Sequence, residues 1–265
     1  MKKSIAYLTM ASLALSLVAP AAALAQDANT ISSVSAPQTS NSLCNDRTAK
    51  FQLKLEQTRA DGDARLSRLR ADGDARLQRI RADQDARSTQ NWADRDAKLQ
   101  RQRAERDLKG YKSDTLKSAV ATFRSALDVA IKVRRDALTA ARNTFRATQE
   151  TALKTRRAAV DAAIKARRDA IDAAYATWKT RCTGTADERK AANKAFADAI
   201  KAAQKTAKDA VDAAFKTFRD TMTTTRQTRD AAVKAANDTF KASLKAAWDA
   251  LKAAKAALTA TSATP

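Results

Sequence analysis

Three consecutive segments of the chain share one pattern: Arg59-Ala-Asp-Gly-Asp-Ala-Arg-Leu66, Arg70-Ala-Asp-Gly-Asp-Ala-Arg-Leu77 and Arg81-Ala-Asp-Gln-Asp-Ala-Arg87. Each segment begins eleven residues after the previous one. Eleven residues over three helical turns give about 3.67 residues per turn, which keeps one face of a helix aligned along a nearly straight or slightly right-handed path. The repeat therefore predicts long helices that pack along their length.

The same spacing carries an apolar stripe through the rest of the chain. The stripe runs from Cys44 to Leu99, from Leu116 to Cys182 and from Ile200 to Leu244, with a few polar interruptions. The chain has only 4 glycines and 3 prolines, and alanine, lysine, arginine and aspartate dominate it. This is the composition of long helices rather than of a mixed globular domain. Because the stripe is thin, burial has to come from helices that lie side by side.

The N-terminus, residues 1–25, has the pattern of a secretory signal peptide. A pair of lysines precedes a mostly apolar segment, and Ala23 and Ala25 form a cleavage motif before Gln26. The alternative is an uncleaved N-terminal anchor, since the apolar segment approaches the roughly 20 residues of a membrane span. Either reading predicts export to the periplasm, the cell surface or the medium, where a disulfide is permitted.

The remaining chain is predicted to form one domain with flexible ends. Residues 26–44 are rich in Ser, Thr, Asn and Ala, which predicts a flexible tether. Residues 45–258 are predicted to form a single rod of three helices, followed by a disordered tail at 259–265. The predicted helices span about 45–109, 114–182 and 186–258.

Two breaks in the helical pattern separate these helices. Gly110 is followed by Ser113, a residue that often caps the start of a helix. Gly184 is followed by Thr185 and Glu188, which have the spacing of a capping box. Both breaks predict a tight turn between consecutive helices.

The positions of the breaks predict how the helices pair. In an antiparallel hairpin, the numbers of facing residues add to a constant, and a turn around residue 113 sets that constant at 226. This places Leu55 opposite Ile171 and Cys44 opposite Cys182. We therefore expect a disulfide between the two cysteines. The alternatives are two buried free thiols or an intermolecular pair.

A turn near residue 185 sets the second constant near 371 and places Ile200 opposite Ile171. The predicted fold is therefore all-α. It is an elongated antiparallel three-helix coiled coil with eleven-residue repeats, in which two helical hairpins fold as a Z.

Side chains flanking the stripe have predicted roles too. Phenylalanines such as Phe145 are expected to anchor the core. Arginines such as Arg156, in equivalent positions of the repeat, are expected to lay their stems along the seam with their head groups in water. Asp61/Arg65 and Asp72/Arg76 have the spacing of ion pairs within one helix, on a largely solvated face.

The sequence encodes no recognisable reaction. Histidine is absent and only two cysteines occur, so we expect no catalytic residues, no metal site and no cofactor. The formal net charge is +21, or +19 without the two lysines of the signal peptide. Such a surface favours non-specific, salt-sensitive attraction to anionic polymers or to a membrane surface.

These features predict an exported, non-enzymatic spacer, scaffold or envelope-associated interaction protein. One alternative is a periplasmic holdase-like chaperone that binds protein clients. Another is an amphipathic protein that binds lipid or a membrane surface. Sequence-specific nucleic-acid binding is not expected, and the sequence does not set the oligomeric state.

Overall fold

The computed structural model describes residues 40–261 of the chain, and the side chains of residues 44–259. Three helices occupy nearly all of this range: α1 at Ser40–Leu108, α2 at Asp114–Arg181 and α3 at Ala186–Thr261. No strand occurs between residues 40 and 261. The prediction of an all-α fold is confirmed. The predicted signal peptide, with Ala23, Ala25 and Gln26, lies outside the described residues, as does the tether up to residue 39.

Two helix ends differ from their predicted positions. α1 begins at Ser40, so the last five residues of the predicted tether are helical. Cys44 is buried close to Cys182, and this contact anchors a segment whose composition alone favours a coil. α3 continues to Thr261 into the predicted tail, where the alanines that precede it have the highest helix propensity.

The turn between α1 and α2 is built on Gly110. Its φ angle is 68°, in the left-handed region that favours glycine, and its amide donates to the carbonyl of Asp107 at 3.1 Å. Ser113 then caps α2, because its hydroxyl accepts a hydrogen bond from the amide of Leu116 at 3.2 Å. The chain thus ends one helix and starts the next within five residues.

The turn between α2 and α3 is a reciprocal capping box. The amide of Thr185 donates to the carboxylate of Glu188 at 2.7 Å, and the amide of Glu188 donates to the hydroxyl of Thr185 at 3.3 Å. These bonds hold the pKa of Glu188 below its usual value. A Cβ atom at Gly184 would collide with the Glu188 carboxylate, so a larger residue would displace that carboxylate from its capping position.

The chain divides into two units, and each contains a part of every helix. The first unit comprises Met1–Gly73 and Ala152–Thr221, and the second comprises Asp74–Thr151 and Met222–Pro265.

The core of the first unit contains a cluster of Ile171, Ile200 and Ala203, against which Leu55 and Phe196 pack. All three helices contribute to this cluster. The predicted proximity of Ile171 to Leu55 and Ile200 is therefore confirmed.

Small side chains dominate the core of the second unit. Ala130, Ala236 and Ala247 are buried there, together with Met222 and Leu251. Alanine lets helix backbones approach closely, but each one removes little apolar area from water. Interactions other than apolar burial must therefore contribute to helix pairing.

No helix within the described residues is both long enough and apolar enough to span a membrane.

Replacement of Ile171 by alanine tests the core of the first unit. Ile171 is only 6% exposed, so Ile171→Ala should lower the free energy of unfolding by about 2–5 kcal/mol, through lost transfer energy and the cavity left behind. Urea denaturation of the full chain measures this loss. Leu53 is 70% exposed, and Leu53→Ala should change the stability by less than about 0.5 kcal/mol. Equal losses in the two variants would contradict this description of the core.

Candidate functional site

The two cysteines meet where α1 begins and α2 ends. Cys44 and Cys182 lie at disulfide distance, with Cα atoms 5.9 Å apart, and both are buried. The spacing suits a disulfide that closes a loop across 138 positions of the sequence. The predicted meeting of these residues is confirmed.

An aromatic cluster joins the three helices of the first unit. Phe51 of α1 stacks on Tyr175 of α2, with ring centroids 4.9 Å apart, and meets Phe196 of α3 edge-on at 5.4 Å. Trp178 stacks on both Tyr175 and Phe196. Aromatic pairs of this geometry contribute about 0.5–1.5 kcal/mol each beyond their area burial.

The polar atoms of this cluster have partners. The hydroxyl of Tyr175 donates to the carbonyl of Thr48 at 2.8 Å, and the indole of Trp178 donates to the amide oxygen of Asn193 at 2.7 Å. Partial burial raises the pKa of Tyr175, so the phenol keeps its proton at neutral pH. The cluster thus anchors the three helices of the first unit to one another.

Removal of the cysteine pair tests whether the disulfide forms and what it contributes. Non-reducing peptide mapping of the purified chain should recover a Cys44–Cys182 cross-linked peptide. The double variant Cys44→Ala/Cys182→Ala should lose about 2–4 kcal/mol of stability, because the unfolded chain regains loop entropy. A reducing agent should not lower the stability of the double variant any further. Recovery of free thiols or of cross-linked dimers would contradict the pairing.

Charged pairs between α1 and α2 recur at a constant offset in the first unit. Arg59 binds Asp172 at 2.7 Å, and Arg70 binds Asp161 at 2.6 Å, eleven residues later on α1 and eleven earlier on α2. Asp63 accepts from Arg168 at 2.6 Å with the roles of the two helices exchanged. The residue numbers of each pair add to 231.

The second unit contains five pairs with the same sum. They are Arg81–Glu150, Asp85–Arg146, Asp96–Arg135, Arg103–Asp128 and Asp107–Arg124. We use the name ion-pair ladder for the pairs with this sum, and we describe those of each unit separately. Within each unit, contacts rise along α1 as they fall along α2, so the two segments run in opposite directions.

The direction of arginine side chains explains the offset from the apolar pairs. Side chains on a helix lean toward its N-terminus, so an arginine reaches a partner beyond the residue directly opposite. Arg59 would face residue 167 in the apolar register but binds Asp172, which lies toward the start of α1. Arg168 leans toward the start of its own helix, α2, and reaches Asp63. The apolar sum of 226 and the ionic sum of 231 are therefore compatible.

The arginines of the ladder are more buried than their partners. Their side chains are 15–29% exposed, whereas the carboxylates are 48–56% exposed. Most pairs are bidentate, as for Arg59 on Asp172 and Arg103 on Asp128. The planar guanidinium therefore covers the apolar seam and defines the pairing geometry at the same time.

One position of the ladder carries a tryptophan. Trp92 stands eleven residues after Arg81, and on α2 Thr139 stands eleven before Glu150. The guanidinium groups of Arg135 and Arg142 lie over the Trp92 ring, 5.7 and 5.8 Å from its centre. A cation–π contact thus takes the place of one ion pair.

Arginine contacts lower the pKa of several ladder carboxylates. Hydrogen bonds from Arg146 hold the pKa of Asp85 below its usual value, and those from Arg124 and Tyr111 do the same for Asp107. For Asp96, the hydrogen bond from Arg135 is the largest cause. These carboxylates are ionised at neutral pH as members of ion pairs.

Asp96→Asn should destabilise the protein at neutral pH by up to about 1 kcal/mol, since the pair with Arg135 is partly solvated. The folded-state pKa of Asp96 is lowered, so its stabilisation is present above the unfolded pKa of about 3.9 and is lost as the pH falls through the folded value. Urea denaturation over a pH series should show the difference from the unmodified chain shrinking in acid. Asp94→Asn provides a control, because among the described residues Asp94 accepts a side-chain hydrogen bond only from Gln90, on its own helix. A loss of stability in Asp96→Asn that stayed the same at every pH would contradict the ion pair of Asp96 with Arg135.

The expected ion pairs within α1 do not form. Neither Asp61 with Arg65 nor Asp72 with Arg76 makes an ion pair in the described part of the chain. Both pairs would lie on the exposed face, where the gain hardly offsets the entropy of holding two long side chains. Helix-internal pairs occur instead on α2 and α3, where lysines bind aspartates four residues later, as in Lys132–Asp136 and Lys194–Asp198.

Arginine–phenylalanine contacts join α2 and α3 in both units. The arginine comes from α2 in some of these contacts and from α3 in another. In the first unit the guanidinium of Arg156 lies 4.6 Å from the centre of the Phe218 ring and 4.9 Å from that of Phe215. In the second unit Arg134 of α2 lies over Phe240, and Arg229 of α3 lies over Phe145 at 4.9 Å.

For Arg156, the expectation that the head group extends into water is therefore wrong. Burial, reinforced by the nearby Arg157 and Arg70, lowers the pKa of Arg156. Attraction to the ring face offsets part of that desolvation.

Residues 109–113 and the adjoining helix ends form a small polar network. Asp107 accepts hydrogen bonds from Arg124 at 2.9 Å and from the Tyr111 hydroxyl at 2.6 Å, and Arg124 also donates to the Tyr111 oxygen at 3.0 Å. The network ties the turn to both helices. Among the described residues, no group of three or more acidic, cysteine or histidine side chains could hold a metal ion.

The ladder had a sequence signal that apolar periodicity does not reveal. On α1, arginine or tryptophan precedes aspartate by four residues at Arg59, Arg70, Arg81, Trp92 and Arg103. On α2, arginine precedes an aspartate or, after Arg146, a glutamate by four residues at Arg124, Arg146, Arg157 and Arg168, and these arginines are eleven or twenty-two residues apart. Matching these two series would have identified the ionic register directly.

Comparisons of the chain with protein-family models, with curated proteins and with solved structures gave no match.

Proposed function

We propose that the mature chain is an exported, non-enzymatic structural protein that acts as a spacer or scaffold with a cationic surface. In this proposal the whole chain is an elongated antiparallel three-helix coiled coil, folded as a Z. The observation that carries it is the ion-pair ladder, whose pairs keep one offset within each unit while the repeat advances by eleven residues.

The repeat supports a structural role because it leaves little room for a unique site. In each unit, arginines and carboxylates that could serve as reactive groups are bound to each other. Their lowered carboxylate pKa values follow from those pairs, which are structural causes of such shifts. The chain also lacks histidine, the commonest acid–base residue at neutral pH.

The exposed lysines support the cationic surface. Lys132, Lys194 and Lys234 are 78–81% exposed, and the aspartates they bind are also largely solvated. The basic excess is spread along the chain, with nets of +6, +8 and +6 for residues 45–112, 113–182 and 183–265. An even charge favours long anionic polymers or an anionic membrane surface over a compact ligand.

A shortened variant tests the proposed architecture. Deletion of residues 64–74, 152–162 and 209–219 removes eleven residues from each helix and takes out both partners of Arg70–Asp161. The remaining pairs still share one sum and therefore one register, so the variant should still melt cooperatively. Its maximum dimension in small-angle scattering should fall by about 16 Å, at about 1.5 Å per residue.

The control deletes residues 64–74 alone, which removes one repeat from α1 and leaves α2 and α3 unchanged. Cooperative melting should then be lost or displaced to lower temperature, because α1 can no longer satisfy all its pairs. An unchanged maximum dimension in the triple deletion would overturn the rod.

Assays of the intact mature chain separate the alternatives. Binding to a soluble sulfated polysaccharide should weaken steeply with salt, as expected for charge neutralisation. Suppression of client aggregation at stoichiometric ratios would replace the spacer by the holdase. A large gain of helix on vesicles, from a disordered free state, would favour the lipid binder instead. Reproducible catalytic turnover would overturn the non-enzymatic assignment.

A further inference from the structure

A groove lies between α2 and α3 within the second unit. Its volume is about 670 Å³, within the range of small-molecule sites. Alanine and threonine supply most of its lining, with Val133 and Phe145 as the larger apolar side chains. Arg134 and Arg229 are its charged residues, and no acidic side chain lines it. The groove thus combines apolar walls with positive charge.

Arg134 is held in place with part of its hydrogen-bonding capacity unused. Its Nε atom donates to the amide oxygen of Asn237 at 2.8 Å, and its guanidinium lies over the Phe240 ring, 5.1 Å from the centre. Its two terminal nitrogens make no hydrogen bond within the described residues. Arg229, by contrast, donates to Asp230 through two nitrogens. Arg134 is therefore the cation that can accept an anionic partner.

Two threonines of the groove, one on each helix, bond to their own helix backbone. The hydroxyl of Thr148 donates to the carbonyl of Thr144 at 3.0 Å, and that of Thr228 donates to the carbonyl of Thr224 at 3.1 Å. Hydroxyls bonded in this way to their own helix demand little from a bound molecule. An apolar chain can therefore lie beside Thr148 and Thr228 without leaving their hydroxyls unbonded.

The length of the groove suits one acyl chain. Its lining on α2 runs from Val133 to Thr148, a helical distance of about 22 Å. A single acyl chain spans about 15 Å, half of a bilayer core of about 30 Å. The difference leaves room for a head group at the Arg134 end.

We propose that this groove binds one long-chain carboxylate, with the carboxylate on Arg134 and the acyl chain along the alanine and threonine side chains. A fatty acid anion meets both features of the site, because it has one charge and an apolar tail. A second copy of this chain meets neither, since its lysine- and arginine-rich helices would bring like charge to Arg134. The proposal adds a ligand to the structural role and does not depend on it.

Titration of the mature chain with palmitate below its micelle concentration tests the proposal. Isothermal calorimetry should show saturable binding of one palmitate per chain. Arg134→Gln should weaken binding by about tenfold, because it removes a charge-assisted hydrogen bond. Lys132→Gln removes one positive charge from the same helix outside the groove and should leave the affinity unchanged. Hexadecanol, which has the chain without the charge, should bind as weakly as palmitate binds to Arg134→Gln.

A second pair of variants tests the location of the acyl chain. Ala232 lines the groove, and Ala232→Leu should abolish binding by filling it, whereas the adjacent Ala231 does not line it and Ala231→Leu should have no effect. Circular dichroism melts establish that each variant is folded. No saturable binding, or equal losses from Lys132→Gln and Arg134→Gln, would overturn the proposal. Binding that Ala232→Leu leaves intact would also overturn it.

Discussion

The pairing of arginine with carboxylate between α1 and α2 is the constraint on which the rest of the structure depends. The apolar stripe is narrow and rich in alanine, so it brings helices together without defining their alignment strongly. Each bidentate pair adds a directional contact at a set offset. A single exposed pair contributes little, but a repeated series of partly covered guanidiniums also shields the seam from water.

Arginine and lysine occupy different positions in the chain because they make different kinds of contact. Arginine is used where a side chain must cross to another helix, as at Arg59, Arg103 and Arg168. Lysine is used where the charge stays on its own helix and in water, as at Lys216 and Lys245 on α3. The planar guanidinium can bind a carboxylate or lie on a ring, whereas the ammonium is a strongly hydrated point charge. Arginine and lysine are thus not interchangeable in this chain.

Much of the fold follows from the sequence because local and long-range signals agree. Gly110 and Gly184 mark the turns, and the register set by the first turn predicts the meeting of Cys44 with Cys182. The all-helical class and the contact of Leu55 with the Ile171 cluster follow from the eleven-residue period. Charged contacts were harder to foresee, since a pattern on one helix does not reveal which side chains cross to another. Asp61 and Asp63 look equivalent along α1, yet of these two Asp63 is the one that binds an arginine of α2.

The start of α1 and the position of the arginine head groups show a second limit of sequence reasoning. Composition describes a residue's average behaviour, whereas Cys44 and Arg156 are governed by single tertiary contacts. A coil-prone segment becomes helical when its end is anchored. A guanidinium leaves water when two phenyl rings of α3 lie beside it.

Trp92 has a consequence for the uniqueness of the fold. If every position of a periodic series were identical, α1 could slide past α2 by one period and lose only the terminal contacts. The misaligned state would then compete with the native one. The indole of Trp92, beside Arg135 and Arg142, makes the native alignment different from the shifted ones. In an alignment shifted by one period, the indole would lie opposite residues that pair with a charged side chain. Trp92 thus favours one alignment of α1 with α2 in the second unit over alignments shifted by one period.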